Sequence, residues 1–341
     1  MKRLGRIPLF YRFPFFEFLY HLKGVRRLYK RLFLSSVPNP QYYVELVNKC
    51  NAECIFCTYP LLRDRGKPLT DMTDEFFNKM LTLIESEQRP SISLTPTTGE
   101  IFMNTQWDYY LQKVLDLDFV EEVHFYTNGA IFNDKNRARF FRLRNLNKMS
   151  ISFSTGGADR ETYELMFGKD LFCHVKENIN EFLRGLKERS LKIPVSIDIK
   201  FPKSGTQSRS FCRKIYNECH YQYAFLKIRD TYDTFSGLIE NESITRMRSP
   251  SLVRRKQPCN YLRDIRFAAN GEIWLCGCVI SEVPGHQELK VGHLKDATDL
   301  GQPRQQLKKM QEEWLHQKKI PFTCRECTWY EASSNIDTPP R

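Results

Sequence analysis

The sequence contains no apolar run as long as a membrane-spanning helix requires, no internal repeat and no low-complexity tract. Its N-terminal region also lacks a clean apolar core followed by a small-residue cleavage site, which argues against a secretory signal peptide. Hydrophobic residues make up 41% of the chain and charged residues 27%, so wholesale disorder is not expected. These properties predict a folded cytoplasmic protein, and 341 residues suffice for one large domain or two smaller ones.

Positive charge is in excess, and the net charge of +12 favours acidic partners such as phosphorylated metabolites, nucleic acid or anionic lipid. The excess is marked in segment 1–40, whose first 31 residues hold nine Lys or Arg, a single acid and many interleaved aromatic residues. This segment predicts contact with an anionic membrane surface or an acidic partner. The alternative is an N-terminal helix that packs on the main domain with its basic face in solvent.

Short β-rich runs alternate with longer amphipathic patterns between residues 42 and 230. The predicted strands are 42–48, 91–96, 122–127, 148–154, 194–201 and 223–228. The predicted helices between them are 74–86, 107–117, 135–145, 174–189 and 208–218. Strands separated by helices imply a parallel sheet, and right-handed crossovers would curve it into an open, partial barrel. In such α/β architectures the chemistry lies at the carboxyl ends of the strands.

The chain after residue 230 follows a different pattern. Residues 231–258 lose the alternation and are interpreted as a linker. Segment 259–330 has cysteines at both ends, a predicted hairpin near residues 270–271 and a predicted helix over 304–317. The tail 331–341 is expected to fray. We therefore predict a barrel over 41–230 and a separate cysteine-containing unit over 259–330.

The chain has eleven cysteines, and seven of them fall into spacings typical of metal sites. Cys50, Cys54 and Cys57 form CxxxCxxC just after the first predicted strand. Three thiolates on one short loop can bind three irons of a 4Fe–4S cluster and leave the fourth iron open to another ligand. The alternatives are a structural zinc site and buried free thiols.

The loop resembles the cluster-binding motif of the radical S-adenosylmethionine (SAM) superfamily, in which an aromatic residue, here Phe56, precedes the last cysteine. The resemblance covers about residues 40–230 and implies a partial (β/α)6 barrel with a catalytic 4Fe–4S cluster. In that family the methionine amine and carboxylate of SAM bind the open iron. Reduction then cleaves the sulfonium and yields a 5′-deoxyadenosyl radical.

Further residues carry the resemblance along the barrel. Thr98, Gly99 and Glu100 follow the second strand, where relatives have a Gly-Gly-Glu-type motif that contacts the methionine amine. Thr98 departs from that motif. The resemblance also implies cofactor contacts from Thr127 and Asn128 after the third strand, and from Ser152 and Ser154 on the fourth.

A second departure concerns the methionine carboxylate. Many relatives carry an Arg-Gly pair shortly after the fourth strand, but this chain has Phe167 and Gly168 there. A carboxylate contact by arginine is therefore lost at this position or is supplied by another residue.

A second cysteine group lies near the C-terminus and consists of Cys259, Cys276, Cys324 and Cys327. Two distant cysteine pairs can close a fully ligated iron–sulfur cluster, and they suit tetrahedral zinc as well. The segment resembles the SPASM/twitch extensions of radical SAM enzymes. Because no cysteine follows Cys327, it resembles the shorter type with one auxiliary 4Fe–4S cluster. Cys278 is close enough in sequence to compete with Cys276 for a place in the ligand set.

The reaction is less constrained than the family. The resemblance implies hydrogen abstraction from a substrate, followed by oxidation, epimerisation or peptide crosslinking. Cys278 is the candidate hydrogen donor for epimerisation, and Asp198, Lys200 and Asp230 are candidates for proton transfer. For each of these four residues the alternative is a purely structural role.

A small-molecule or sugar-like alcohol is the first choice of substrate, and a ribosomal peptide or protein is the second. The family also implies a reducing partner such as flavodoxin or ferredoxin. Nucleic acid is not an expected partner. The alternative of a different class is a non-catalytic metal-binding protein.

Overall fold

The computed structural model describes residues 41–330, with gaps at 88–89, 96–97, 203–204, 206, 231, 234, 236–237, 240, 245–254, 281–282, 284 and 328–329. Segment 1–40 and the tail 331–341 lie outside the described residues, and the expectations for both stay predictions. None of the helices within the described ranges is long and apolar enough to cross a membrane.

One mixed sheet organises the described part of the chain. Its nine strands are β1 (Gln41–Val44), β2 (Ser91–Ser93), β3 (Glu122–Thr127), β4 (Met149–Gly156), β5 (Val195–Lys200), β6 (Ala224–Arg229), β7 (Ile265–Phe267), β8 (Glu272–Leu275) and β9 (Lys290–His293). Their order is β6-β5-β4-β3-β2-β1-β7-β8-β9. The first six strands are parallel and the sheet does not close, which confirms the predicted partial barrel.

Helices connect the parallel strands and cover one face of the sheet. The helices between them are α1 (Tyr59–Asp64), α2 (Asp74–Glu85), α3 (Trp107–Leu115), α4 (Asp134–Phe141), α5 (Arg160–Phe167), α6 (Phe172–Glu188) and α7 (Arg209–Tyr216). Two further helices, α8 (Gly301–Gln317) and α9 (Phe322–Glu326), follow β9. All six helices predicted from the sequence are present, with ends that differ by a few residues. Helices α1, α5 and α9 were not predicted.

The two faces of the sheet differ in polarity, which follows from the alternation of side chains along each strand. Phe125 and Phe153 point toward the helices, where Phe132, Phe140 and Phe182 complete a buried aromatic cluster. Residues of the opposite alternation line the concave face, and many of them are polar. This pattern separates a packed apolar core from a polar interior that is available for chemistry.

The C-terminal segment continues the barrel sheet, a feature that the sequence did not predict. Strand β7 pairs in parallel with β1, and β8 and β9 add antiparallel strands. The predicted hairpin joins β7 to β8 through Gly271, whose φ of +87° favours glycine. A buried ion pair between Arg266 Nη2 and Glu45 Oε2, 3.2 Å apart, links β7 to the residue after β1.

Candidate active site

The loop after β1 brings together the three thiols of the CxxxCxxC motif. Burial raises the pKa of Cys54, and Cys57 and Cys50 raise it further, so the three sulfurs share one small volume. Backbone N–H groups already point at two of them, from Ala52 to Cys50 Sγ at 3.5 Å and from Tyr59 to Cys57 Sγ at 3.4 Å. Such donors suit thiolates that bind a cluster.

The same thiols are not arranged for a single metal ion. No three His, Cys, Asp or Glu side chains of the described residues lie close enough together to hold one ion.

The end of α5 holds this loop in place. Glu53 N donates to Phe167 O at 3.0 Å and Ile55 N donates to Met166 O at 3.2 Å. Phe56 packs edge-to-face on Phe167, with ring centroids 5.4 Å apart. The residues that replace the Arg-Gly pair of relatives therefore support the cysteine loop through backbone and ring contacts.

Glu100 lies at the centre of a hydrogen-bonded group at the ends of β2 and β3. Its carboxylate accepts from Thr127 Oγ1 and from Asn128 N, both at 2.7 Å. Burial raises the pKa of Glu100 to about 7, although both hydrogen bonds act against the rise. Glu100 thus fixes the positions of Thr127 and Asn128 through these two hydrogen bonds. Gly99 precedes Glu100 and is half-buried.

Asn128 extends this group to the cysteine loop. Its Nδ2 donates to Asn51 Oδ1 at 2.8 Å and lies 3.8 Å from Cys50 Sγ. Thr98, the residue that departs from the family motif, accepts a hydrogen bond from Lys67 Nζ at 3.3 Å. Glu100, Thr127 and Asn128, three of the predicted cofactor-binding residues, therefore lie next to the predicted cluster site.

Ser154 and Lys200 meet on the concave face next to the cysteine loop. Lys200 Nζ donates to Ser154 Oγ at 2.5 Å and lies 5.1 Å from the ring centroid of Phe56. Burial lowers the pKa of Lys200, while Asp198 and Cys54 act in the opposite direction. Lys200 therefore lies beside the predicted cluster site, between Ser154 and Phe56.

Asp198 anchors a group of charges on the same face. Its Oδ2 lies 3.2 Å from Arg229 Nη2, its Oδ1 lies 3.7 Å from Lys227 Nζ, and Ser196 donates to it at 2.9 Å. Burial alone would raise the pKa of Asp198, but Lys227, Lys200 and Arg229 hold it below its usual value. Asp198 is therefore ionised and paired at neutral pH, which is not the state of a free general base.

The other two predicted polar positions sit on either side of this charge group. Ser152 faces Ser196 across β4 and β5 and hydrogen-bonds with Tyr126. Asp230 follows β6 directly. Burial raises the pKa of Tyr232, and the nearby Asp230 raises it further. Alternation along β6 directs Asp230 away from Arg229, so Asp230 is the least suited of the four catalytic candidates to the concave face.

The second cysteine group converges on one cavity. All four predicted ligands line it, together with Cys278, Asp233 and a set of largely apolar residues. Burial raises the pKa of Cys324, and Cys276, Cys259 and Cys327 raise it further, in that order. Four thiols that are distant in sequence therefore line one cavity.

Cys276 and Cys278 differ in their surroundings. Cys276 has a left-handed φ of +71° and joins the other three thiols, whereas Cys278 is exposed. Cys278 lies near two tyrosines of the concave face, Tyr43 and Tyr126. Burial raises the pKa of both tyrosines, that of Tyr126 to about 12, and Cys278 adds to both rises. The geometry thus assigns Cys276 to the thiol group and Cys278 to its border with the barrel interior.

Several residues of the site were missed at the level of sequence. Lys227 and Arg229 could have been found, because they repeat on β6 the two-residue spacing of Asp198 and Lys200 on β5. The hydroxyl of Tyr163 is buried without a hydrogen-bond partner among the described residues, and it lies near Cys54. Nothing in the local sequence marks Tyr163 as part of the site.

No protein-family model matches the chain, and none of the curated proteins matches it in sequence. Solved structures do match it in fold. Native anSMEcpe with bound AdoMet has a TM-score of 0.53 at 15% identity, and the match covers 84% of this chain and 88% of that chain.

Two further structures extend this likeness. anSMEcpe with bound AdoMet and the Kp18Cys peptide has a TM-score of 0.53 at 14% identity, with 85% and 87% covered. Streptococcus suis SuiB bound to S-adenosylmethionine has a TM-score of 0.50 at 12% identity, with 81% and 67% covered. All of these solved structures are of radical SAM enzymes. The described part of the chain therefore has the open parallel-barrel fold of the radical SAM enzymes.

Proposed function

We propose that the protein is a radical SAM enzyme that oxidises or epimerises a small-molecule, sugar-like alcohol. One observation carries the proposal: a polar concave face lies between two groups of thiols, with Lys200 at the first group and Cys278 at the second. When bound, SAM and its cluster would supply a 5′-deoxyadenosyl radical, which abstracts a hydrogen atom from the substrate. The residues of the concave face would hold the substrate between the two thiol groups.

The cofactor contacts in this proposal come from residues around the cysteine loop. Cys50, Cys54 and Cys57 would bind the catalytic cluster. Gly99, Glu100, Thr127 and Asn128 would shape the site of the methionine amine, with Glu100 acting through the two groups that it binds. Ser152 and Ser154 would contact the ribose or the carboxylate of SAM.

Lys200 replaces the arginine that the sequence lacks. Its amine donates to Ser154 Oγ and lies near Cys54. A cation at this place can pair with the methionine carboxylate. Lys200 is accordingly proposed as a cofactor-binding residue, which is a different role from the proton transfer predicted for it.

The charges of the concave face favour a substrate with an anionic substituent, such as a phosphorylated or nucleotide-linked sugar. Lys227 and Arg229 expose about a third of their side chains, 35% and 33%, whereas Asp198 exposes 4%. A buried carboxylate therefore orients two cations whose outer surfaces can still meet an anion. Phosphate recognition by arginine and lysine follows the same chemistry.

The substrate radical can be oxidised or epimerised, and the role of Cys278 differs between the two reactions. Oxidation requires loss of a proton and an electron, and an auxiliary cluster bound by Cys259, Cys276, Cys324 and Cys327 could accept the electron. Epimerisation requires return of a hydrogen atom, and the exposed thiol of Cys278 borders the face where the substrate would lie. A Cys278→Ser variant separates them: an epimerase loses its epimerised product, and an oxidase keeps its oxidised one.

Metal content is the first test of the proposal. The protein is purified and reconstituted without oxygen, and iron and sulfide are counted in the parent and in the triple variant Cys50→Ala, Cys54→Ala, Cys57→Ala. Two 4Fe–4S clusters predict about eight irons in the parent and about four in the variant. About four irons in the parent and none in the variant would mean that the protein has no auxiliary cluster. No iron in either protein would contradict the radical SAM proposal and favour a zinc protein.

Catalysis is the second test. The reconstituted parent, reduced by flavodoxin, ferredoxin or dithionite, should cleave SAM to 5′-deoxyadenosine. A panel of phosphorylated sugar alcohols in which the reacting carbon carries deuterium then identifies the substrate by transfer of the label. Label in 5′-deoxyadenosine supports hydrogen abstraction, and its absence across the panel would contradict the substrate class.

Peptide maturation is the second candidate function. It is favoured by the fold similarity to anSMEcpe with the Kp18Cys peptide. The same labelling experiment with deuterated peptides tests it. Label transfer from a peptide and from none of the sugars would make the protein a peptide-modifying enzyme.

A further inference from the structure

Arg255 is a buried cation next to the second thiol group. Only 6% of its surface is exposed. Its Nη2 donates to Cys327 O at 2.6 Å, and its guanidinium lies 5.0 Å from the ring centroid of Tyr330, which lines the cavity. Its Nε and Nη1 are buried without a hydrogen-bond partner among the described residues.

A buried guanidinium with two unsatisfied nitrogens is costly unless an anion compensates it. Arg266, a buried arginine of β7, has such a partner in Glu45 at 3.2 Å. For Arg255, no described carboxylate lies within ion-pair distance. The four thiols of the second group lie next to Arg255, and they become anionic when they bind metal.

We propose that Arg255 is the counter-charge of the auxiliary cluster and raises its reduction potential. The inference rests on the proposed function, because it requires the second thiol group to bind an iron–sulfur cluster. A cluster with four thiolates carries negative charge, and reduction adds one more unit. A buried cation stabilises the reduced form more than the oxidised form, so the potential rises.

Two carboxylates act in the opposite direction. Asp233 lines the cavity, and Asp264 lies beside Cys276, whose N–H donates to Asp264 O at 2.8 Å. Arg255 would offset them and make the cluster a better electron acceptor. This property suits oxidation of the substrate rather than epimerisation.

The test measures the auxiliary cluster alone, in the background Cys50→Ala, Cys54→Ala, Cys57→Ala. Potentiometric titration followed by electron paramagnetic resonance compares Arg255→Met, which removes the charge, with Arg255→Lys, which keeps it. Arg137→Met is the matched control, because Arg137 is also buried but bonds to Phe132 O and Asn178 in the barrel, away from the second thiol group.

We expect Arg255→Met to make reduction at least tenfold less favourable, which is 59 mV for one electron. Arg255→Lys and Arg137→Met should stay near the background potential. If Arg255→Met no longer retains iron, the neutral Arg255→Gln takes its place against Arg255→Lys. Equal potentials for the neutral and charged variants would overturn the assignment of Arg255, whereas a background protein without iron would overturn the auxiliary cluster itself.

Discussion

Replacing Gly168 by alanine tests how the cysteine loop is supported. Gly168 ends α5 with a φ of +69°, and a Cβ there would lie 2.6 Å from Glu53 O and 2.9 Å from Glu53 Cβ. The left-handed backbone costs an alanine roughly 1–2 kcal/mol. The clash with a fixed backbone atom adds about 1–3 kcal/mol. Gly168→Ala should therefore lower the free energy of unfolding by about 2–5 kcal/mol and displace the loop between Cys50 and Cys54.

Gly66→Ala is the matched control for this prediction. Gly66 also has a positive φ, +83°, but a Cβ there would meet nothing within 4 Å. Only the backbone term of about 1–2 kcal/mol remains. Urea unfolding of the metal-free proteins gives the two free energies, and iron retained after desalting reports the loop. Equal losses of stability and iron in the two variants would refute the proposed contact between Gly168 and the cysteine loop.

Three further predictions concern other buried groups. Glu45→Gln leaves Arg266 unpaired in the sheet, so urea unfolding should show a loss of about 3–5 kcal/mol, and a loss below about 1 kcal/mol would contradict a buried ion pair. Burial and Lys227 lower the pKa of His124 to about 4, so an unfolded chain binds a proton between about pH 6.5 and pH 4 that the folded chain excludes. The free energy of unfolding should therefore fall as the pH falls. Between about pH 7 and pH 5 this decrease should be about 1–2 kcal/mol smaller in His124→Gln than in the parent, as measured by urea unfolding at both pH values. Tyr163→Phe should stabilise the metal-free protein by about 1 kcal/mol because its hydroxyl has no described partner, and an equal gain after loading with iron and SAM would show that the hydroxyl does not serve the cofactors.

The sequence was informative where the signal is local. Strand β3 has the predicted bounds because turn residues flank a run of alternating apolar side chains. The CxxxCxxC spacing likewise points to one group of three thiols, since cysteines on one short loop are neighbours by necessity. The charge group around Asp198 follows the same local rule once the strands are placed in register.

Other features depend on contacts between distant segments. The separation of Cys276 from Cys278 depends on Gly277, where an added Cβ would lie 2.2 Å from the ring of Tyr43. That contact exists because β7 pairs with β1, some 220 residues earlier in the chain. Arg255 meets Cys327 across 72 residues of sequence, so no local spacing rule could have connected them.

The pairing of β1 with β7 also bears on how the chain folds during synthesis. Tyr42 pairs with Ile265, so the first strand lies inside the finished sheet and its outer edge stays open until the ribosome has made β7. An open strand edge is a template for pairing with other chains. A nascent or truncated barrel that ends after β6 would expose this edge, and it would be prone to aggregation until the C-terminal strands close it.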